Sequence, residues 1–218
     1  MRSTMERLDR VLRDIDAINR EDPRRILFQG EPQPHEWVLS ERRTDWLALL
    51  YPDASEALRI AVRAMHLRRW DIPRETFPDG RRGYLLWRNR LYGYHADQAE
   101  AILRAHDYDE DTRARVRFLI SKRQLGKDPE TQALEDVSCL AFLEVEAPHF
   151  AAKTTPEKLR EILAKTMKKM SPHAREAARR IPLPPPLGAL LSEILEKSSG
   201  TRDDADMNAI EEAEKPLL

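Results

Sequence analysis

Three side chains far apart in this 218-residue sequence are the best equipped for chemistry: His66, His95 and Asp136. His66 ends an apolar-periodic run, His95 sits in Gly93-Tyr-His-Ala-Asp-Gln98, and Asp136 in Leu134-Glu-Asp-Val-Ser-Cys-Leu140. Two neutral imidazoles and one carboxylate suit Zn, Mn or Fe, and leave positions open for water or a phosphate oxygen. They are the expected ligands of one divalent ion. The segment Ala64-Met-His-Leu-Arg-Arg-Trp-Asp-Ile-Pro-Arg74 also crowds arginines beside His66. A guanidinium is a planar fork that matches phosphate or carboxylate. Arg68, Arg69 and Arg74 are therefore the expected anion clamp, joined by Lys122. Between Arg59 and Arg90 nine arginines face three acids, a local balance of +6 in a chain whose formal net charge is -1. Glu135 is a candidate proton carrier, as is Glu144, two helical turns after Asp136 on nearly the same face.

Each of these residues also has a plain structural use. A histidine ending a helix satisfies terminal carbonyls and complements the helix dipole. His95 could be a hydrogen-bonded core histidine, Asp136 an arginine's partner, and Lys122 a solvated helix end. Trp70 and Trp87 are read as packing residues, although either could stack on a base. Cys139, on an apolar helix, reads as core.

The elements that must position these groups are helical. Leu8, Val11, Leu12, Ile15 and Ile18 make one stripe, predicting an opening amphipathic helix that Asp22-Pro23 ends. Residues 29–34, with Gly30, Pro32 and Pro34, read as a loop. A second helix spans 36–50, and Pro52-Asp53 opens a third with Leu58, Ala61, Val62 and Met65 inward. After an irregular basic connection over 74–83, a long helix runs from about Tyr84 to Ala105. Asp109 or Asp111 caps the next. Pro129 opens another, which Pro148 stops, and Thr155-Pro-Glu157 starts a helix through Lys169. A proline-rich joint over 182–186 precedes a short helix around 190–195. Residues 198–218 hold six acids and two basic residues and read as a disordered acidic tail. No strand is expected. The fold class is all-α, one domain over 1–197 plus the tail.

Composition narrows the classes further. Hydrophobic content of 41% and charged content of 34% describe a water-soluble globular chain, and no apolar run reaches membrane-spanning length. The start, Met1-Arg-Ser-Thr-Met-Glu-Arg, has no signal-peptide core, and the single cysteine excludes an internal disulfide. A cytoplasmic setting is expected. The near-neutral total disfavours nucleic acid as a partner, while leaving room for a local anion site.

The order of His66, His95 and Asp136 resembles the HD superfamily of metal-dependent phosphohydrolases. In that family a helix ends in His-Asp, later helices add histidines, and a final aspartate closes the metal site. Ala64-Met-His66 matches the approach, His95 before Ala99-Glu-Ala-Ile-Leu103 the later helix, and Glu135-Asp136 the last acidic position. Leu67 stands in place of the aspartate, Arg42-Arg43 where a first histidine belongs, and Ser121-Lys122 where many members carry another. The resemblance thus implies a reduced, HD-like site. A closer resemblance is to the domain of unknown function 4202 family, over roughly residues 5 to 195. It rests on Pro52-Asp-Ala-Ser-Glu-Ala57, His66-Leu-Arg-Arg-Trp-Asp-Ile-Pro-Arg74, Gly83-Tyr84, Trp87, Asp128-Pro-Glu, Leu134-Glu-Asp136, Phe142-Leu-Glu144 and Lys169-Met-Ser-Pro172. Members of that family are sometimes labelled glutamyl-tRNA synthetase. Lys169-Met-Ser171 does resemble the start of a class I synthetase loop, but proline and His173 follow. No His-Ile-Gly-His element or glycine-rich nucleotide loop accompanies it, so synthetase activity is rejected.

The leading expectation is a metal-dependent phosphohydrolase acting on a small phosphorylated metabolite or nucleotide. The alternatives are a non-catalytic HD-like module that binds an anionic metabolite, and a helical protein-interaction adaptor.

Overall fold

The computed structural model describes residues 2–199, with side chains from 6 to 197. The acidic tail expected over 198–218 lies, from Gly200 onward, outside the described residues.

Ten α-helices follow in order among the described residues: α1 (Arg2–Arg20), α2 (His35–Leu50), α3 (Glu56–Ala64), α4 (Gly80–Ala105), α5 (Glu110–Ile120), α6 (Pro129–Ala141), α7 (Ala147–Ala151), α8 (Pro156–Lys169), α9 (Pro172–Ala178) and α10 (Pro185–Ser199). The chain is all-α apart from one small hairpin, and among the described residues no helix is long and apolar enough to cross a membrane. Serine, threonine and aspartate start five of the helices, Asp109 and Thr155 among them as the sequence predicts. Ser55, Asp109, Asp128, Thr155 and Ser171 each accept the backbone N–H three residues on.

The short helix α3 is the hub. Ile60, Ala61, Val62 and Ala64 have no exposed surface, because α1, α2, α5 and α6 pack around the helix. A second core joins the end of α6 to α8, α9 and α10 through Leu140, Leu143, Leu163, Met167 and Leu191. Trp46 of α2 packs against both cores and against a third cluster formed by Ile26, Val38, Leu39 and Val145.

Two expectations are corrected. Residues 29–34 are not a loop: β1 (Arg25–Phe28) and β2 (Glu31–Pro34) pair antiparallel around Gln29 and Gly30, both at positive φ. Such a two-residue turn matches the twist of a hairpin. Prolines misled the reading because they usually break strands, yet Pro32 and Pro34 pair with Leu27 and Arg25 at alternate positions. Those positions need no ladder hydrogen bond when Phe28 and Glu31 make the closing one. Nor does Pro148 stop the helix that begins at Pro129. A π turn (Phe142–Glu146) shifts the register and leads into α7, whose first turn tolerates the missing N–H of Pro148. A helix that was not expected, α9, follows Ser171, and the other differences are boundaries: α3 begins at Glu56 rather than Pro52, α4 at Gly80 rather than Tyr84, and α10 spans more than residues 190–195. In α4, Gly83 is obligatory, since a Cβ there would stand 1.7 Å from the Pro78 carbonyl oxygen.

Candidate functional site

A cleft of about 310 Å³ opens where α2, α4, α6 and α8 converge. Its floor starts with α2. Asp22, fully buried, accepts the Glu36 backbone N–H at 3.0 Å and so anchors the start of that helix. Glu36, Leu39 and Arg43 then follow at spacings of three and four, on one helix face. Arg43 is 1% exposed; it donates to the Glu36 carboxylate, and its Nη1 lies 3.1 Å from His66 Nδ1.

His66 comes from the turn after α3. The backbone next passes through a left-handed residue, Arg68 with φ 52, into a 3-10 turn that delivers Arg69 to the cleft. Arg69 lies 4.7 Å over the Trp87 ring, and Trp87 is itself fixed by donating to the Ile72 carbonyl at 2.8 Å. From α4 come Tyr84, Arg88, Tyr92 and His95, spaced by four, four and three residues. Arg88 donates to the Tyr92 hydroxyl. Across the cleft, Lys122 pairs with Glu135 of α6, and Lys169 at the end of α8 lies 3.5 Å from the same carboxylate.

The lining holds five cations, Arg43, Arg69, Arg88, Lys122 and Lys169, against two carboxylates, Glu135 and Glu146. With uncharged histidines the balance is positive. Burial does hold both imidazoles uncharged near neutral pH. His95 is pulled down to about 4 by burial first, then by the positive charges of Arg69 and Arg43. His66 is held well below its ordinary value by burial; Glu36 offsets only part of this, and Arg69 and Arg43 add to it. At Glu36 burial favours the neutral acid, but Arg43 and His66 together outweigh it and keep the carboxyl well below the usual range. Burial likewise opposes ionisation of Glu135, and Lys122 and Lys169 overcome it, bringing the group to about 2. Burial opposes the charge on Lys122 in turn, but Glu135, with Tyr92 and Cys139, outweighs it and raises the ammonium's pKa. Cys139 also lines the cleft, and burial pushes its thiol up, so it is no activated nucleophile.

Proton positions follow from these contacts. A carbonyl only accepts, so His95 Nδ1, 2.8 Å from the Leu67 oxygen, carries the proton. His95 Nε2 is then a bare lone pair, buried, with no hydrogen-bond partner among the described residues. A guanidinium only donates, so His66 accepts from Arg43 at Nδ1 and carries its proton on Nε2. The two rings lie 5.6 Å apart, centroid to centroid. The pair therefore presents one acceptor and one donor.

Acid sensitivity is an expected consequence. The unfolded His95 imidazole titrates near 6.5 and the folded one at about 4. A depressed folded value adds stability above the unfolded one and loses it as pH falls toward the folded one. Stability should thus drop by about 3 kcal/mol between pH 6.5 and 4 through this residue. In urea melts across that window, a His95→Asn variant should show a correspondingly flatter decline. Equal declines in the two proteins would remove His95 as the cause.

The residues expected to act together are only partly assembled. His66, His95, Arg69, Lys122 and Glu135 line one cleft. Asp136 does not join them, because neighbouring positions on a helix point about 100° apart. Its fully buried carboxylate accepts instead from Tyr51 Oη at 2.6 Å, Gln132 Nε2 at 2.9 Å, and Ser171 N at 2.8 Å and Oγ at 2.5 Å. Glu144 is held elsewhere by Arg42 Nε at 3.1 Å and Trp46 Nε1 at 2.9 Å. Arg68 pairs with Glu21 at the surface, and Arg74 donates to the carbonyls of Phe77 and Pro78, folding its own loop. Among the described residues, no three His, Cys, Asp or Glu are placed to share a metal ion. Within Lys169-Met-Ser171, Ser171 caps α9 while Lys169 lines the cleft.

Sequence reasoning missed Glu36, Arg43, Tyr84, Arg88, Tyr92, Glu146 and Lys169. The Tyr84-Arg88-Tyr92-His95 spacing was a usable signal, being a polar stripe of helical period. Arg43 drew notice only as a missing histidine.

A family model described as a domain of unknown function (DUF4202) matches residues 9–191. No curated protein and no solved structure matches the chain.

Proposed function

The chain belongs to the DUF4202 family, whose matched region includes every element lining the cleft, and on that premise we propose that the cleft binds a small phosphorylated metabolite. The observation that supports this best is the cationic wall of Arg69, Arg88, Lys122 and Lys169 beside two uncharged imidazoles. A phosphate ester brings up to two negative charges and three acceptor oxygens near neutral pH, which forked guanidinium donors match. Trp87 and Tyr92 hold Arg69 and Arg88 in place, so little side-chain freedom is lost on binding. His66 Nε2–H adds an uncharged donor.

A second reading, an HD-like metal-dependent phosphohydrolase, is favoured by the bare Nε2 of His95, whose ring lies 5.6 Å from that of His66. Two imidazoles fit Zn, Mn or Fe. For His66 to ligate through Nε2, its proton must move to Nδ1, where Glu36 Oε2 stands 3.4 Å away to receive it. A bound ion would polarise a phosphoryl oxygen or lower the pKa of a water. Asp136 has no part in this set, and Glu135, held at about 2, is a poor proton acceptor near neutral pH.

Calorimetric titration with inorganic phosphate and phosphate monoesters tests both readings on one preparation, with bound metal and phosphate release measured alongside. Arg69→Ala/Arg88→Ala is expected to weaken binding about 10- to 100-fold. Unchanged affinity would end the phosphate reading. Metal retained by the wild type and absent from His66→Ala/His95→Ala, with phosphate released only by the former, would favour hydrolysis. Equal metal content in the two would end that second reading.

A further inference from the structure

Beyond the cationic cleft lies a second chamber of about 410 Å³, between the hairpin and α7. Two walls are common to both spaces: α2, and the helical stretch that runs from the π turn into α7. On α2, His35 lines the chamber while Leu39 and Arg43 line the cleft, four residues apart on one face. That row spans roughly 12 Å. Opposite, the π turn and α7 place Phe142 in the cleft, Phe150 in the chamber, and Glu146 in both. His35 Nε2 lies 3.1 Å from Glu146 Oε1, so this pair marks the boundary between the two compartments.

The compartments differ in chemistry. Around the chamber, Leu27 is 60% and Phe150 43% exposed, large apolar surfaces left open on two different elements. Arg25, on the same rim, turns its guanidinium to the carbonyls of Asp22 and Arg24. Because a carboxylate accepts, His35 carries its proton on Nε2. Its Nδ1 is then a buried acceptor with no partner among the described residues. An aromatic or heteroaromatic ring fits these walls, and a ring N–H or amino group fits that acceptor. The Glu146 carboxylate disfavours an anionic group at the boundary and so sets the ligand's direction.

We infer that the ligand is a phosphate ester with a flat, uncharged aromatic or heteroaromatic body, its phosphate in the cationic cleft and its body in the chamber between Leu27 and Phe150. The inference rests on the phosphate reading above. The probes are inorganic phosphate, ribose 5-phosphate, phenyl phosphate and AMP, titrated into the full chain and into Phe150→Ala and Leu27→Ser. Both substituted residues are exposed, so the variants should fold. AMP and phenyl phosphate are expected to bind about tenfold more tightly than ribose 5-phosphate. Each variant should erase most of that gain and leave inorganic phosphate binding as it was. If all four probes bind alike, or the gain survives in both variants, the chamber is not the body's site although the phosphate site stands. If no probe binds, or AMP is indifferent to Arg69→Ala/Arg88→Ala, the phosphate reading itself falls and this inference with it.

Discussion

Replacing Asp136 with alanine is expected to cost about 3–5 kcal/mol of stability while leaving phosphate affinity unchanged in the protein that remains folded. The carboxylate is fully buried and accepts four hydrogen bonds from three residues. Its removal strands the Tyr51 hydroxyl and the Ser171 backbone N–H together and leaves the Gln132 amide only its bond to the Lys169 carbonyl. Ser171 also caps α9, so the loss spreads to the packing of that helix on α6. Asparagine should not rescue the site, since its amide would turn donors toward donors. Ser171→Ala, which removes one hydroxyl and a cap, should cost only about 1–2 kcal/mol. Urea denaturation of the three variants measures these costs. A stable Asp136→Ala protein that has lost phosphate binding would place Asp136 in a binding site after all.

Glu36→Ala should be comparably severe, again about 3–5 kcal/mol, because it leaves the Arg43 guanidinium buried beside a single neutral imidazole. Glu36 and Arg43 are each 1% exposed, and Arg43 Nε already has no partner among the described residues. Breaking one half of such a pair costs far more than removing both, so Glu36→Leu/Arg43→Met should recover most of the loss. The single variant has a second signature. With its counter-charge gone, Arg43 adds to the positive field of the cleft, and phosphate should bind more tightly in whatever fraction stays folded. Denaturation and titration on the same two proteins read both effects. A double variant no more stable than the single one would show that the ion pair is not the source of the cost.

Much of the fold was legible in order. Helical periodicity and capping residues place α1, α2, α5 and α8 within a few residues, because both signals are local. The hairpin was not legible, since its prolines carry opposite meanings on the two sides of a strand. The π turn was hidden for a related reason: a register shift at Phe142–Glu146 has no mark in composition, yet it keeps Glu146 beside His35 and moves Pro148 into a permitted position.

The candidate site divides in the same way. Residue type and local crowding single out His66, Arg69, His95, Lys122 and Glu135, and these meet. They do so because His66, Arg69 and Lys122 follow the ends of α3 and α5, while His95 and Glu135 lie midway along α4 and α6, helices that pack on the buried hub α3. Which neighbour of a charged pair faces inward was beyond the sequence. Arg68 and Arg69, Arg42 and Arg43, and Glu135 and Asp136 are each adjacent, and in each pair one member enters the cleft while the other bonds elsewhere. A 100° step along a helix, or one left-handed residue at Arg68, makes that choice. By itself the sequence determined an all-α chain, the helix caps Asp109 and Thr155, and the crowding of arginines around His66. Only tertiary packing decided that the carboxylate beside the histidines would be Glu36 rather than Asp136, because facing depends on rotation about helix axes and rotation is set by the neighbours a helix packs against.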